Sequence, residues 1–372
     1  MKAAVLNGVG NDFEIQDVEL SEPKAGEVKV RLAASGVCHS DLSVQNGTLP
    51  LPMPVVCGHE GAGIVEEVGP DVSTLEPGDH VVLSWVPQCG RCFTCRSGQP
   101  HLCEDTFMVS ATGGQLDGTT RFTNEAGSVH QMQALGTFSE FTVCPEISCV
   151  KIPDDMPLDK AALIGCGVLT GVGAALNETE IRPGSTVAVV GCGGVGLNVI
   201  QGAKIEGATR IIAIDVVPSK LELAKQFGAT DVINSSETDP VAAVQGLTGI
   251  GMMGVGRGVD CAFEVVGASA TLRTAIDVTR RGGTAIQVGV PRMDDMMPMS
   301  PFMDLFVHVK TIKGSFYGAS DVFENIPKYV EMYQAGQLML DELVSATIAL
   351  DDVNGAIDAM EKGEVARSVI VY

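Results

Sequence analysis

The sequence predicts a two-domain α/β protein in which a mainly antiparallel β region precedes a doubly wound parallel sheet. The chain has 372 residues, and domains commonly contain about 100–200 residues. Near Thr170 the apolar pattern changes from short strands separated by turns to strands that alternate with helices. A glycine-rich turn follows the first strand of this second region, as is typical of an open parallel sheet.

The first region consists of short alternating or β-branched runs that are bounded by glycine, proline and polar residues. Examples are EVKVRLAASGV, GAGIVEEVG, GDHVVLSWV, GTFSEFTVC and SCVKIP. Runs of this length and composition are typical of antiparallel strands.

The second region begins with an apolar strand, a glycine turn and a helix in STVAVVGCGGVGLNVIQGAKIEG. The alternation continues through ATRIIAID, SKLELAKQFGATDVIN, GVDCAFEVVG, TLRTAIDVTRRGG and TAIQVGV. Repeated strand–helix–strand units predict a parallel sheet with helices on both faces. The C-terminal part has two helical patterns and a final strand, which could extend this sheet or return to the first region.

The glycine turn has the spacing G-x-G-x-x-G at Gly191, Gly193 and Gly196. These glycines permit a tight turn, the approach of a pyrophosphate and close helix–strand packing. Asp215 ends the next strand, nineteen residues after Gly196. A carboxylate there accepts hydrogen bonds from ribose hydroxyls and repels a 2′-phosphate, which favours NAD over NADP. The alternative is a glycine turn in an ordinary α/β domain.

Composition argues against several classes of protein. The net charge is −22 and the sequence pI is about 4.5, without a basic cluster, so we expect neither nucleic-acid nor membrane binding. The N-terminal residues lack the pattern of a signal peptide, and no segment has the ~20 uninterrupted apolar residues of a membrane span. The eleven cysteines are an odd number, and we expect a cytoplasmic protein with reduced thiols.

Four cysteines are clustered in the segment QCGRCFTCRSGQPHLC. Cys89, Cys92, Cys95 and Cys103 have the spacing C-x2-C-x2-C-x7-C. Four thiolates satisfy a tetrahedral zinc without leaving an open position, which is the arrangement of a structural site. An iron–sulfur cluster is the rival, but its ferredoxin pattern continues with three residues, a cysteine and a proline.

A second set of candidate ligands is dispersed along the chain. GVCHSDL contains Cys38, VVCGHEGAG contains His59, and LIGCGVLTGVGAAL contains Cys166 in what the glycines predict to be a turn. Two thiolates and one imidazole would bind zinc and leave a fourth position for water or substrate. This is the arrangement of a catalytic metal.

With these motifs in this order, the chain resembles the zinc-dependent medium-chain alcohol dehydrogenases across nearly its whole length. The resemblance implies a GroES-like catalytic domain from residues 1–167 and 317–372, with a structural-zinc lobe near residues 88–104. It implies a Rossmann domain for NAD from residues 168–316. Two zinc ions per subunit and a homodimer or homotetramer joined through the coenzyme domain are also implied, with TIKGSFYG as a candidate edge strand.

The resemblance also assigns roles to individual residues. Zinc held by Cys38, His59 and Cys166 would lower the pKa of a bound alcohol, which then transfers hydride to NAD. Ser40 matches the hydroxyl that begins the family's proton relay, while Asp41 and Glu60 would tune the metal and orient His59. The residues implied to contact the cofactor are His39, Thr170, Gly191, Gly193, Gly194, Val195, Gly196, Asp215, Lys220 and Arg367.

The sequence departs from the family at the end of the relay, where Ser43 stands in place of a histidine found in many members. At the positions that line the substrate pocket in the family, this sequence has Leu49, Trp85, Phe107 and Met108. This apolar set favours primary aliphatic, benzylic or terpenoid alcohols and gives a charged glutathione adduct no anchor. The alternatives are a nicotinoprotein with non-dissociating NAD, an enzyme like glutathione-dependent formaldehyde dehydrogenase, and a non-catalytic scaffold that binds zinc and NAD.

Overall fold

The computed structural model describes residues 1–251 and 256–372. Its strands are β1 Lys2–Leu6, β2 Phe13–Asp17, β3 Glu19–Leu20, β4 Glu27–Gly36, β5 Val55–Val56, β6 Glu60–Val68, β7 His80–Leu83, β8 Phe122–Asn124, β9 Gly127–Gln131, β10 Phe141–Pro145, β11 Cys149–Lys151, β12 Thr186–Val190, β13 Arg210–Asp215, β14 Asp231–Asn234, β15 Val259–Glu264, β16 Thr279–Gln287, β17 Thr311–Gly314, β18 Val344–Ile348 and β19 Arg367–Val371. Its α-helices are α1 His39–Gln45, α2 Phe93–Arg96, α3 Val109–Thr112, α4 Leu158–Leu163, α5 Leu169–Glu178, α6 Gly194–Ile205, α7 Pro218–Phe227, α8 Pro240–Leu247, α9 Ser269–Val278, α10 Val322–Gln334 and α11 Val353–Glu361.

The chain divides into two compact units. Unit 1 contains Met1–Gly167 and Ser320–Tyr372, and unit 2 contains Val168–Ala319. The chain passes from unit 1 to unit 2 within a continuous helical segment, Leu158–Glu178, and returns three residues after the boundary expected at residue 317. This segment has the length and mean hydropathy, 1.4, of a membrane span, but 78% of its apolar window is buried in the structure, as in a core helix.

Unit 1 is built from two β-sheets. One has the strand order β2-β1-β5-β9-β8-β3, and the other has the order β11-β7-β6-β4-β19-β18. One edge of the long strand β4 is shared, because its first half pairs with β10 and its last residues pair with β19. Most pairs are antiparallel, as predicted, and the final strand of the chain lies in this unit.

Unit 2 contains a six-stranded sheet with the order β14-β13-β12-β15-β16-β17, and all its neighbouring strands are parallel. The order reverses between β12 and β15, so the carboxyl ends of these two strands form the topological switch point where ligands bind in such sheets. Its buried core includes Val190, Ile212, Ile233 and Ala262. The prediction of a doubly wound sheet is confirmed.

Three local features differ from the sequence interpretation. The glycine-containing segment around Cys166 is one turn of π-helix, Ile164–Val168, rather than the predicted turn. Gly165 is needed there because a Cβ would lie 2.4 Å from the Leu83 carbonyl oxygen. Helix α9 ends at Val278, and the residues TRRGG begin β16. Strand β18, which pairs in parallel with β19, had no clear signal in the sequence.

Candidate functional site

The three predicted ligands of a catalytic metal come from three different parts of unit 1. Cys38 is the N-cap of α1, His59 directly precedes β6, and Cys166 lies on the π-helical turn. Gly58, with φ of +87°, turns the chain into His59 where a Cβ would lie 2.5 Å from Thr137 Oγ1. The backbone at His59 is therefore fixed by a position that only glycine can occupy without strain.

These side chains converge in a buried cluster. Ligand atoms of Cys38, His59, Glu60 and Cys166 all lie within 4.8 Å of one another. Two buried polar atoms of the cluster, His59 Nδ1 and Glu60 Oε1, have no hydrogen-bond partner among the described residues. Buried polar groups are normally satisfied, and two thiols beside an imidazole are the donor set that zinc prefers. The residues present therefore fit a zinc ion.

Asp41 links two of the candidate ligands through the backbone. Its side chain is fully buried and accepts hydrogen bonds from the backbone amides of Cys38, at 2.9 Å, and Gly58, at 3.0 Å. Its Oδ1 atom lies 3.5 Å from His59 Nδ1, which is an ion-pair distance rather than a good hydrogen bond. Asp41 thus fixes the position of one ligand's backbone and faces the ring of the other.

Glu60 has a different partner from the one expected. Its Oε2 atom accepts a hydrogen bond from Nη2 of Arg367, and both side chains are buried. Sequence reasoning missed this ion pair because the two residues are 307 positions apart and no local pattern connects them. Burial raises the pKa of Glu60 to about 7, while the Arg367 guanidinium opposes that shift.

The thiols and the imidazole perturb one another strongly. A hydrogen bond from Cys166 holds the pKa of the Cys38 thiol well below its usual range, and the same contact raises the pKa of Cys166. Burial lowers the pKa of His59, but the carboxylate of Asp41 and the sulfur of Cys38 together raise it well above its usual value. Perturbed values of this kind cluster at functional sites.

The predicted relay residues lie on α1, next to this cluster. Ser40 is half-buried, and its Oγ atom is 3.8 Å from Cys38 Sγ. Ser43, one turn further along the helix, is also half-buried, whereas His39 is exposed. The helix therefore presents one hydroxyl directly beside a candidate metal ligand.

The four predicted pocket residues have different environments. The rings of Trp85 and His59 meet edge to face with centroids 6.5 Å apart. Leu49 is partly buried against the core of the β1 sheet. Phe107 and Met108 are 66% and 61% exposed. The structure thus brings Trp85 to the candidate metal site and leaves Phe107 and Met108 at the surface.

The four-cysteine segment forms a second candidate metal site. The ligand atoms of Cys89, Cys92, Cys95 and Cys103 lie within 4.8 Å of one another. The sulfurs of Cys89 and Cys95 are 4.0 Å apart and those of Cys92 and Cys103 are 3.9 Å apart. A tetrahedral zinc with bonds of about 2.3 Å separates its sulfur ligands by about 3.8 Å. The observed separations between the sulfurs therefore fit a single metal ion. An iron–sulfur cluster with several iron atoms would hold its cysteine sulfurs further apart.

Backbone amides also stabilise thiolates in this lobe. The amides of Arg91 and Cys92 donate to Cys89 Sγ at 3.5 and 3.3 Å, and the amide of Cys95 donates to Cys92 Sγ at 3.5 Å. Hydrogen bonds with the Thr94 hydroxyl and with the Cys95 amide lower the pKa of Cys92 to about 5. All eleven cysteines are free thiols in the structure.

In unit 2 the glycine-rich turn has the shape that the motif predicts. Gly191 has φ of +98°, and a Cβ on Gly196 would lie 1.9 Å from the Gly191 carbonyl oxygen. A Cβ on Gly193 would meet nothing within 4 Å, so the turn faces open space there. Helix α6 begins at Gly194, and the free amides at a helix N-terminus are suited to phosphate. The turn fits the pyrophosphate of a dinucleotide.

Asp215 lies beside this turn and already has two partners. Its Oδ2 accepts a hydrogen bond from the amide of Cys192 at 2.7 Å, and its Oδ1 accepts one from the amide of Val217 at 2.9 Å. Lys220 on α7, Thr170 on α5 and Val195 on α6 are partly buried. Asp215 therefore organises the glycine turn in addition to its predicted role toward ribose.

Comparison with known proteins places the chain in a family. The family model described as alcohol dehydrogenase GroES-like domain matches residues 24–154, and the model described as zinc-binding dehydrogenase matches residues 194–335. Alcohol dehydrogenase class-3 of Drosophila melanogaster is 39% identical over 373 residues, which span 100% of this chain and 97% of the relative.

Solved structures agree with this relationship. The benzyl alcohol dehydrogenase of Acinetobacter calcoaceticus superposes with a TM-score of 0.92 at 37% identity and covers 100% of this chain and 98% of that one. An alcohol dehydrogenase zinc-binding domain protein from Burkholderia ambifaria gives a TM-score of 0.93 at 37% identity with the same coverage. The chain therefore belongs to the zinc-dependent medium-chain alcohol dehydrogenases and is an NAD-dependent alcohol oxidoreductase.

Proposed function

We propose that this enzyme catalyses reversible hydride transfer between NAD and primary alcohols that carry an apolar aliphatic, benzylic or terpenoid group. The observation that carries the proposal is the buried cluster of Cys38, His59 and Cys166, with Ser40 and Trp85 beside it. Three protein ligands leave a fourth coordination position for the substrate oxygen. The edge-to-face contact of Trp85 with His59 supports an apolar, aromatic wall next to that position.

Each residue of the site has a distinct role in the proposed reaction. Zinc, when bound by Cys38, His59 and Cys166, supplies a Lewis acid that makes the alcohol proton easier to remove. Ser40 Oγ accepts that proton and passes it on. Asp41 holds the backbone of Cys38 in place, and the ion pair of Glu60 with Arg367 balances charge beside the candidate ligands, where both side chains are buried.

The surroundings of Asp215 support the choice of NAD over NADP. Its carboxylate lies at the end of β13, where it would repel a 2′-phosphate. The next two residues are Val216, which is exposed, and Val217. Neither can pair with a phosphate, so Val216 and Val217 supply no cation; the first one after Asp215 is Lys220 on α7, which the family resemblance assigns to the cofactor.

The relatives bear on the substrate in different ways. The structural neighbour that acts on benzyl alcohol supports an aromatic substrate. The similarity to the class-3 relative leaves a second candidate function, that of an enzyme like glutathione-dependent formaldehyde dehydrogenase. The positions that the family resemblance assigns to the pocket argue against it, because they hold Leu49 and the exposed Phe107, and neither side chain can pair with the charges of glutathione.

A panel of alcohols assayed with NAD and with NADP tests the proposal. We expect higher kcat/KM for benzylic and medium-length aliphatic primary alcohols with NAD than for formaldehyde supplied with glutathione. A preference for the glutathione adduct would overturn the substrate assignment. Near-ultraviolet absorbance of reduced nicotinamide in the purified protein, without added cofactor, would reveal a nicotinoprotein instead.

A homodimer or homotetramer is also proposed, with unit 2 as the contact surface. Strand β17 is at the edge of its sheet. The neighbouring π-helical segment Pro301–Val307 exposes 64% of Phe302 and 77% of Phe306, whose rings stack with centroids 5.9 Å apart. Large exposed apolar patches mark interaction sites. Phe306→Asp is expected to shift the mass measured by light scattering toward the monomer.

We place the enzyme in the cytoplasm, because its cysteines are reduced.

A further inference from the structure

Two cysteines outside both candidate metal sites are in direct contact. Cys144 lies on β10 and Cys149 begins β11, and their sulfurs are 3.4 Å apart in the buried core of unit 1. Cys149 Sγ also donates to the Pro145 carbonyl oxygen at 3.8 Å. With its own hydrogen directed at Pro145, Cys149 Sγ can accept a hydrogen bond from the Cys144 thiol. Neither thiol has a role in the reaction described above.

The geometry is close to that of a disulfide. A disulfide bond is about 2.05 Å long, so the sulfurs must approach each other by about 1.4 Å from their separation of 3.4 Å. One short turn, Glu146–Ser148, joins the two strands. Strand β10 pairs with β4, whereas β11 pairs with β7. A bond between the sulfurs would therefore connect two separate parts of the same sheet.

The position of β11 determines how an oxidant reaches the pair. This strand is three residues long and lies at the edge of its sheet, where β7 is its one partner among the described strands. Short edge strands open locally at a lower free energy than central strands. Cys149 is 3% exposed and Cys144 is fully buried, so local opening of β11 exposes Cys149 first. Burial raises the pKa of Cys149, which keeps the thiol unreactive while the strand is closed.

We propose that Cys144 and Cys149 form a redox-active dithiol that takes a hydroperoxide as its oxidant. The Cys149 thiolate attacks the peroxide, which releases water and leaves a sulfenic acid. The Cys144 thiol then displaces a second water from that sulfur, which forms the disulfide. In total, two thiols and one hydroperoxide give one disulfide and two waters (or one water and one alcohol for an organic hydroperoxide). A low-molecular-weight thiol restores the reduced pair.

Mass spectrometry of the zinc-loaded enzyme tests the proposal directly. Residues 122–151 form one tryptic peptide that contains both cysteines and no others. After treatment with hydrogen peroxide, we expect this peptide to resist alkylation and to weigh two hydrogen atoms less, and dithiothreitol should reverse both changes. The chain's single tryptophan, Trp85, packs against the same core cluster. Its fluorescence should fall in parallel, because disulfides quench nearby indole rings.

Controls separate this site from the other thiols. Cys144→Ser and Cys149→Ser should each abolish the reversible fluorescence change, while Cys261→Ser in unit 2 should leave it intact. Zinc content must stay constant, so that oxidation of the metal ligands is ruled out as the cause. The proposal is overturned if both cysteines remain alkylatable while Cys261 is oxidised, if the disulfide appears only with loss of zinc, or if Cys149 is oxidised irreversibly instead. The wild-type measurement decides these outcomes even if a serine variant fails to fold, and it does not depend on the alcohol substrate.

Discussion

Loss of Asp41 should weaken zinc binding at the proposed catalytic site without affecting the four-cysteine site. Asp41→Ala removes the only described acceptor for the buried amides of Cys38 and Gly58. An unsatisfied buried donor costs about 1–3 kcal/mol, so two of them should lower the free energy of unfolding by about 2–6 kcal/mol. For a chain of 372 residues, the lower limit corresponds to a fall in Tm of about 3 °C. Loss of groups that orient metal ligands typically costs about 10–100-fold in metal affinity.

The assay is chelator competition followed by metal analysis, with thermal unfolding in parallel. The four-cysteine site serves as an internal standard, because Asp41 does not contact it. We expect Asp41→Ala to lose one zinc per chain at a chelator concentration that leaves the other bound. Asp41→Asn should be intermediate, since its amide oxygen can still accept one of the two hydrogen bonds. Asp12→Ala, at an exposed position, is the matched control. If Asp41→Ala resists chelation and heat like the wild type, Asp41 does not position the ligands.

The remaining predictions concern the second metal site, the cofactor and the proton relay. Cys95→Ser should reduce the zinc content from two ions to one and lower Tm, because a structural zinc contributes to the free energy of folding; an unchanged Tm after loss of that zinc would argue against a structural role. Asp215→Gly should shift the ratio of kcat/KM for NADP over NAD by at least about tenfold, or about 1.4 kcal/mol. It should also lower Tm, because Asp215 accepts two backbone hydrogen bonds, and a wild type that prefers NADP would refute the assignment. Ser40→Ala should keep zinc content and NAD affinity while greatly reducing turnover, and full activity would exclude a relay through its hydroxyl. Ser43→Ala should have little effect, whereas Ser43→His should raise the rate below neutral pH, measured from the pH profile of alcohol oxidation.

Local sequence patterns predicted the parts of this protein that depend on local chemistry. The cysteine spacing predicted a site whose sulfurs lie at the separation of zinc ligands. The glycine spacing predicted a turn with positive φ at Gly191 and no room for a side chain at Gly196. In both cases all the determinants lie within a few residues of one another, so the spacing alone restricts the geometry.

Features that depend on distant parts of the chain could not be predicted in the same way. The ion pair of Glu60 with Arg367 and the addition of β19 to β4 join residues far apart in sequence. The glycines around Cys166 predicted a turn, because glycines often end helices, whereas the segment is one turn of π-helix. There, Gly165 is instead required by the close approach of the Leu83 carbonyl oxygen, which only the folded structure reveals.

The discontinuity of unit 1 has a consequence for the order of events during protein synthesis. A ribosome completes all of unit 2 before it makes Ser320–Tyr372, and domains generally fold as units while the chain emerges. Unit 2 can therefore fold while β4 still lacks β19 and Glu60 still lacks Arg367. Until then, the candidate metal ligands lie beside an incomplete sheet and an unpaired carboxylate. Release of a nascent chain stalled after residue 319 should thus yield a protein that binds nucleotide but does not retain the catalytic zinc.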